Sequence, residues 1–317
     1  VRVIHGLPRR RLRRPLSLAI GVFDGVHVGH QAIINAAFEL GRPHALLPSV
    51  LTFDPHPGSV LRPGGGPPLL TTIEERLKLL ASLGVHTAIV ARFDRELAGL
   101  PPEDFVRDIL IGKLRARCLT IGRDWRFGAK ASGDASLLAE LGPRYGFVFC
   151  SCPSVTVDGV IVSSTLLRSL LAGGEVTEAV RYLGRPYQLS NTVQAGEQRG
   201  RRLGIRTANL ALPPGKVVPA DGVYACWAGV SRFAPAVASV GVRPTFTEEG
   251  ERRIEVHLLD RPRPPRLLGR RLRVAFAVRL RGERRFPSAE ALQRQMGVDA
   301  RSARSLLAAL QPPTVVL

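Results

Sequence analysis

Gly21-Val22-Phe23-Asp24-Gly25-Val26-His27-Val28-Gly29-His30 decides how the first half of this chain is read. The apolar run Leu16–Val22 enters it and the helix-like run Gln31–Leu40 leaves it. A buried strand that turns through glycines into a helix start aims free backbone N–H groups and a positive dipole end at one point, which suits a phosphate. His27 and His30 stand three residues apart on the first helical turn and would face the same way. Two imidazoles there can donate hydrogen bonds to a phosphoryl group that gains charge during transfer. Nucleotide chemistry is the first expectation. The plainer reading, strand–helix punctuation, loses ground because a strand precedes the motif and a helix follows it.

Outward from this turn, strand and helix patterns alternate to about residue 150. Strands are predicted over Leu16–Phe23, Ala45–Phe53, Val85–Val90, Cys118–Ile121 and Phe147–Cys150. Helices are predicted over Val28–Leu40, Glu74–Leu83, Pro102–Leu114 and Ala135–Leu141. This βαβα order with short links predicts a mostly parallel sheet with helices on both faces, and ligands beyond the carboxyl ends of its strands. Pro63–Pro68 (P-G-G-G-P-P) reads as a mobile loop beside that site. After Pro186 helical periodicity fades. Short apolar runs recur between turns at Leu189–Val193, Thr207–Leu212, Gly222–Trp227, Ala236–Val240, Ile254–Leu259 and Leu272–Val278. They predict an antiparallel barrel, followed by a return to helix over Ser288–Leu310. The expected domains are residues 1–184 and 185–317.

A chain of 317 residues is long enough for two such cores. It contains no apolar run of about 18 residues or more, so no transmembrane helix is expected. Arg9, Arg10, Arg11, Arg13 and Arg14 precede an apolar run too short, and too interrupted by Gly21 and Asp24, for a secretory signal. Cys118, Cys150, Cys152 and Cys226 form no C-x-x-C pair and read as free thiols of a cytoplasmic, reducing compartment. The formal charge is +19, nearly all of it arginine, since only Lys78, Lys113, Lys130 and Lys216 are lysines. The arginines are spread along the chain with no basic tail and no interleaved aromatic platform. That argues against nucleic acid as the main partner and for anionic small substrates on top of a compositional bias.

Five further motifs lie at predicted strand ends or helix starts. Thr52-Phe53-Asp54-Pro55-His56-Pro57 fixes an extended exit, either a rigid loop or a wall of the same cleft. Gly122-Arg123-Asp124-Trp125-Arg126-Phe127-Gly128 could stack on a ring-bearing phosphate ligand, or Trp125 and Phe127 could be core while Asp124 caps a turn. Ser163-Ser164-Thr165-Leu166-Leu167-Arg168 could cap its own helix or bind phosphate. Gly204-Ile205-Arg206-Thr207-Ala208-Asn209 places a hydroxyl and an amide two residues apart, able to share a hard cation or to sit in an ordinary hairpin. In Ile254-Glu255-Val256-His257-Leu258 the alternation puts Glu255 and His257 on one face. A carboxylate facing into a barrel is costly unless used or paired, and a wet outer face is the plain alternative.

In this order, with L-G-R-P-Y, D-G-V-Y-A, G-V-R-P-T-F and E-V-H-L-L-D, the motifs resemble those of the bacterial bifunctional riboflavin kinase/FAD synthetases. The similarity runs from about residue 16 to the C-terminal helix pattern. It implies a Rossmann-like FMN adenylyltransferase followed by a six-stranded barrel riboflavin kinase with C-terminal helices. ATP, riboflavin and FMN are the implied substrates and Mg²⁺ the implied cofactor. By motif, His27 and His30 would contact ATP phosphates, with Gly21, Phe23, Asp24, Gly29 and Asp124 in the same cleft. Ser163, Ser164, Thr165 and Arg168 would close the triphosphate site. Thr207 and Asn209 would hold Mg²⁺ and phosphate beside Gly204, and Glu255 would be the kinase base. Four residues depart from the family pattern: Ile161 for a basic residue, Arg206 for proline, and Arg261 and Leu268 in the kinase half. The departures in the kinase half, Arg206 among them, keep in view a monofunctional FAD synthetase with a weak or inactive flavin-binding barrel, and the basic charge keeps in view a nucleic-acid-binding protein on this scaffold.

Overall fold

The structure is a computed structural model that describes residues 1–195, 207–242, 252–259 and 267–314. It divides into two compact units, Val1–Ser164 and Thr165–Leu317.

The first unit begins with β1 (Arg2–His5), β2 (Leu16–Ile20), α1 (Val28–Gly41) and β3 (Leu47–Asp54). A short α2 (Pro57–Leu61), α3 (Ile73–Ser82), β4 (Thr87–Arg92), α4 (Arg95–Gly99) and α5 (Pro102–Asp104) follow. After α5 come a π-helical stretch over Phe105–Lys113, β5 (Ala116–Gly122), α6 (Ala135–Tyr145) and β6 (Val148–Cys152), then the small hairpin β7 (Thr156–Val157) and β8 (Val160–Ile161). Six strands form one parallel sheet in the order β1-β4-β3-β2-β5-β6. β2 lies inside the sheet and is buried at every residue, so it reads as a continuous apolar run instead of an alternating one. Its even positions, Leu16, Leu18 and Ile20, join Leu51, Phe53, Phe105 and Leu138 in one core. On the other face the Ser17 hydroxyl donates to Ala37 O of α1. Helices thus cover both faces. The chain leaves β2 for β3 on one side and returns to β5 on the other, so the crevice for a ligand opens at the carboxyl end of β2.

The short α2, α4 and the β7–β8 hairpin were not foreseen, being too brief to show a period, and two further elements of this unit differ from the sequence expectation. β1 was not foreseen; it is a four-residue edge strand paired with β4, and only Val3 and Ile4 are half-buried, too short a pattern to show a period. The helix expected over Pro102–Leu114 widens after α5 into π turns, where Leu114 N donates to Ile109 O five residues back. That widening buries Phe105, Val106, Ile109 and Leu110 together.

In the second unit α7 (Ser164–Gly173, begun by the last residue of the first unit) and α8 (Val176–Leu183) precede β9 (Tyr187–Gln194) and β10 (Ala208–Leu210). β11 (Gly222–Gly229), β12 (Ala234–Val242), β13 (Arg252–Leu258), β14 (Arg271–Arg281) and α9 (Ala289–Ala308) complete it. The six strands close into an antiparallel barrel in the order β10-β13-β12-β11-β14-β9. Cross-strand register puts Leu210, Ile254, Val240, Tyr224, Phe276 and Leu189 on its inner face. The outer face of β11 and β14 is covered by α9, where Ala225, Trp227, Ala275 and Ala277 meet Ala303 and Leu307. This cover explains why β11 is buried throughout instead of alternating. The C-terminal helical region is one continuous helix among the described residues, where several had been expected.

Candidate functional sites

The turn after β2 is a strained cradle. Phe23, Gly25 and Val26 take φ of +52°, +84° and +43° within four residues. Positive φ is uncommon for any side chain and unusual for a β-branched one such as Val26. His27 then caps α1, its Nδ1 accepting from His30 N at 3.2 Å. The His27 and His30 rings stack with centroids 3.5 Å apart and 18° between planes. The edge contact of Phe23 on His30, at 5.3 Å, fixes the outer ring. Gly21 and Gly29 allow this packing, since a methyl group on Gly21 would come 3.1 Å from the Phe23 ring and one on Gly29 would come 3.2 Å from His27. The paired imidazoles and the start of α1 therefore converge as the sequence implied.

Asp24 is placed differently from a ligand contact. It is 1 % exposed, and its carboxylate accepts from Leu70 N, Thr71 N and Thr71 Oγ1. Gly25 N in turn donates to Thr71 Oγ1 at 2.9 Å. Beneath it Arg76, 2 % exposed, donates from Nη1 to Thr52 Oγ1 and Phe53 O, with Nη2 3.9 Å from Asp24. Thr52 Oγ1 donates to Val22 O at 2.8 Å. The ends of β2 and β3 and the start of α3 are thereby latched into one block. Burial pulls the Arg76 guanidinium below the ordinary arginine value, and Asp24 and Asp54 act against that. Sequence reasoning missed this residue. The signal was present: Arg76 sits on the buried stripe of α3 with Leu79 and Leu80. Replacing Arg76 by Met should cost about 3 kcal/mol of stability, because a buried pair broken on one side leaves its partners unsatisfied. Arg76→Lys should cost less. Urea denaturation checks this; an Arg76→Met midpoint equal to wild type would contradict the latch.

The remaining walls divide between structural and open groups. Phe127 is buried and stacks on half-buried Trp125 at 4.8 Å, so this pair belongs to the core edge, as the plainer reading had it. Asp124 is exposed, 3.5 Å from Ser154 Oγ. Asp134 caps α6 and pairs with Arg126 at 2.6 Å. Ser164 Oγ donates to Asp24 O at 3.0 Å, tying the end of this unit to the cradle, and Ser163 beside it is half-buried. Thr165 is exposed and Arg168 half-buried, both on α7.

On the barrel, Glu255 stands on the face opposite Ile254, Val256 and Leu258 and is half-buried. It therefore points away from the barrel interior. The concern about an inward carboxylate does not arise, because the period-2 pattern gives the interior to the apolar neighbours. Glu255 is the direct cross-strand partner of Asn209 on one side and Ser239 on the other. Thr207 Oγ1 lies 3.5 Å from Glu255 Oε2. Asn209 Oδ1 is buried and has no hydrogen-bond partner among the described residues. A second carboxylate missed by sequence reasoning, Glu283, rests against Gly241, where a methyl group would fall 1.8 Å from Oε1. Burial, with Asp221 and Glu255 nearby, raises its pKa above the ordinary glutamate value. Gly204, Arg206 and Arg261 lie outside the described residues. Leu268 is 66 % exposed in a turn. All four cysteines are free, and burial raises Cys118 and Cys226 above the ordinary thiol value.

Comparison with known proteins joins the two sites. A family profile described as FAD synthetase matches residues 10–166, and one described as riboflavin kinase matches residues 183–307. The chain is 37 % identical over 314 residues to the bifunctional riboflavin kinase/FMN adenylyltransferase of Escherichia coli K12, covering 98 % of this chain and 99 % of the relative. The Pseudomonas fluorescens protein of the same name is 37 % identical over 97 % of both chains. The Haemophilus influenzae one is 32 % identical over 96 % and 99 %. A crystal structure from Streptococcus pneumoniae, named a macrolide-efflux protein, superposes with a TM-score of 0.87 at 29 % identity, covering 96 % of this chain and 99 % of that one. Among the described residues no helix is long and apolar enough to cross a membrane.

Proposed function

The chain belongs to the bifunctional riboflavin kinase/FMN adenylyltransferase family and phosphorylates riboflavin to FMN and adenylylates FMN to FAD, and we propose how its residues divide that work. In adenylyl transfer an FMN phosphate oxygen attacks the α-phosphorus of ATP, and pyrophosphate leaves. That oxygen is already ionised at neutral pH, so no general base is required. The task is alignment and stabilisation of charge on the α-phosphate and the leaving group. His27 and His30 supply donors at the start of α1, where the helix dipole also favours negative charge. Ser163 brings a hydroxyl to the same phosphates while Ser164 ties this segment to Asp24 O, and by motif Thr165 and Arg168 extend that set. Asp24 and Arg76 position the cradle without touching the reacting atoms.

In the kinase step the ribityl 5′-hydroxyl attacks the γ-phosphorus, ADP leaves, and Glu255 accepts the hydroxyl proton. Thr207 and Asn209 would hold Mg²⁺. The fit is chemical: two neutral oxygen donors, one of them the buried Asn209 Oδ1 that has no partner among the described residues, leave the charge to phosphate oxygens, as a hard cation prefers. Mg²⁺ bound there would supply charge neutralisation for the phosphates. We place the domain boundary at residues 184/185, between α8 and β9.

The observation that supports two sites in one chain is that each unit brings its own motif residues together: the stacked His27–His30 pair in one, the Asn209–Glu255 cross-strand pair in the other. Chromatography of products from riboflavin, ATP and Mg²⁺ tests it. FMN should appear first and FAD after it. Absence of both would overturn the reading. FAD from added FMN but none from riboflavin would favour the monofunctional alternative.

A further inference from the structure

Five arginines in six residues, Arg9 to Arg14, connect β1 to β2, and all five are exposed. The segment is held in place. Leu7 and Leu12 pack against the core of the α/β unit. Leu12 N donates to Lys113 O at 2.9 Å, Leu16 N donates to Arg115 O, and the Arg115 guanidinium donates to Arg13 O. Arg117, also exposed, sits on the neighbouring strand where β5 pairs with β2. Scanning the chain as a line made the arginines look evenly spread; folding gathers these seven side chains. Among the described residues no carboxylate forms an ion pair with any of them.

Position separates this patch from the nucleotide turn. Arg13, Arg14, Arg115 and Arg117 lie where parallel strands β2 and β5 begin, and the cradle lies where β2 ends. A five-residue strand puts them about 17 Å apart along the sheet. The patch is therefore not part of the nucleotide turn.

We propose that it is a docking surface for the phosphodiester backbone of duplex nucleic acid, bound without sequence preference and separate from both catalytic sites. Guanidinium forks match phosphate oxygens two at a time. No large hydrophobic residue from Gly6 to Pro15 or from Lys113 to Arg117 is strongly exposed, and the exposed neighbour Val148, opposite Cys118 on β6, is a single small aliphatic side chain, so there is no aromatic platform for stacking unpaired bases and no extended wedge for a lipid surface. A duplex offers about one charge per 1.7 Å of axis in a stiff line, so a segment whose backbone is already held in place meets it without first ordering its own chain. An acidic peptide would have to be ordered first.

The test is fluorescence anisotropy of a labelled 20-base-pair DNA duplex with the full chain across a salt series. Five neutralised phosphates give a slope of log K against log salt of about −4.5, a loss of about 10²–10³ in affinity from 50 to 200 mM. In R9Q/R10Q/R11Q/R13Q/R14Q the slope should fall to about −1 or less, with FAD synthesis unchanged as the folding control. Should that variant fail to fold, R9Q/R10Q/R11Q should cut the slope by about 3. A scattered control, R62Q/R95Q/R232Q/R301Q, should leave the slope nearly as it was. Equal losses in the control and the cluster variants would overturn the proposal, since overall charge would then be the cause. So would no duplex binding at 50 mM salt, or phosphatidylglycerol vesicles displacing the duplex.

Discussion

Replacing His30 by alanine is expected to cut FAD formation from FMN and ATP by about 10²–10³ while riboflavin phosphorylation continues at nearly its normal rate. His30 is the better of the two histidines to remove. The His27 side chain also caps α1, so its loss would add about 1 kcal/mol of helix destabilisation to any chemical effect. His30 uses its backbone N–H for that cap, and alanine keeps it. What alanine deletes is a ring stacked at 3.5 Å on His27 and braced by the edge of Phe23. If the ring donates to phosphate mainly in the transition state, kcat should fall much more than KM rises. Near-normal FAD synthesis by the variant would make His30 structural only.

Glu255→Gln is expected to lower riboflavin phosphorylation by about 10²–10⁴ and leave adenylylation of supplied FMN intact. Glutamine keeps the shape, the strand position opposite Asn209 and an oxygen near Thr207 Oγ1. It cannot accept the hydroxyl proton. Because Glu255 stands outside the barrel core, the change creates no buried cavity, so a loss of activity reads as chemistry and not as misfolding. A steady-state assay on each half-reaction separates the cases. A variant that retained most of its kinase turnover would remove Glu255 from the base role.

What the sequence disclosed follows from where its signals are local. The cradle was legible because a strand, its glycine turn and a helix start fall within about 25 consecutive residues, and the His27–His30 spacing dictates a shared face. Five of the six strands of the sheet and all six of the barrel were foreseen to within a few residues, because buried parallel strands read as apolar runs and barrel strands as short runs between turns. What stayed hidden depends on distant residues meeting. Asp24 read as a ligand contact by motif alone, yet its carboxylate is turned to Leu70, Thr71 and Arg76, some fifty residues on. The alternation of Glu255 with Ile254, Val256 and Leu258 already gave the inner face to the apolar residues; what it could not show is which residues lie across from Glu255, and the register supplies Asn209 and Ser239. Glu283 and Gly241 were silent for the same reason.

Two chemistries are held by separate residue sets in one chain, and mixing the two variants tests that most directly. Neither His30→Ala nor Glu255→Gln alone should convert riboflavin and ATP to FAD at an appreciable rate. The first should stop at FMN and the second at riboflavin. Mixed together, they should make FAD, because FMN released by the barrel of one can be adenylylated at the cradle of the other. If the mixture makes no FAD while each variant keeps its own half-reaction on supplied substrate, FMN does not pass freely between chains. If each variant has lost both half-reactions, the two residue sets do not act separately, and the central claim is contradicted.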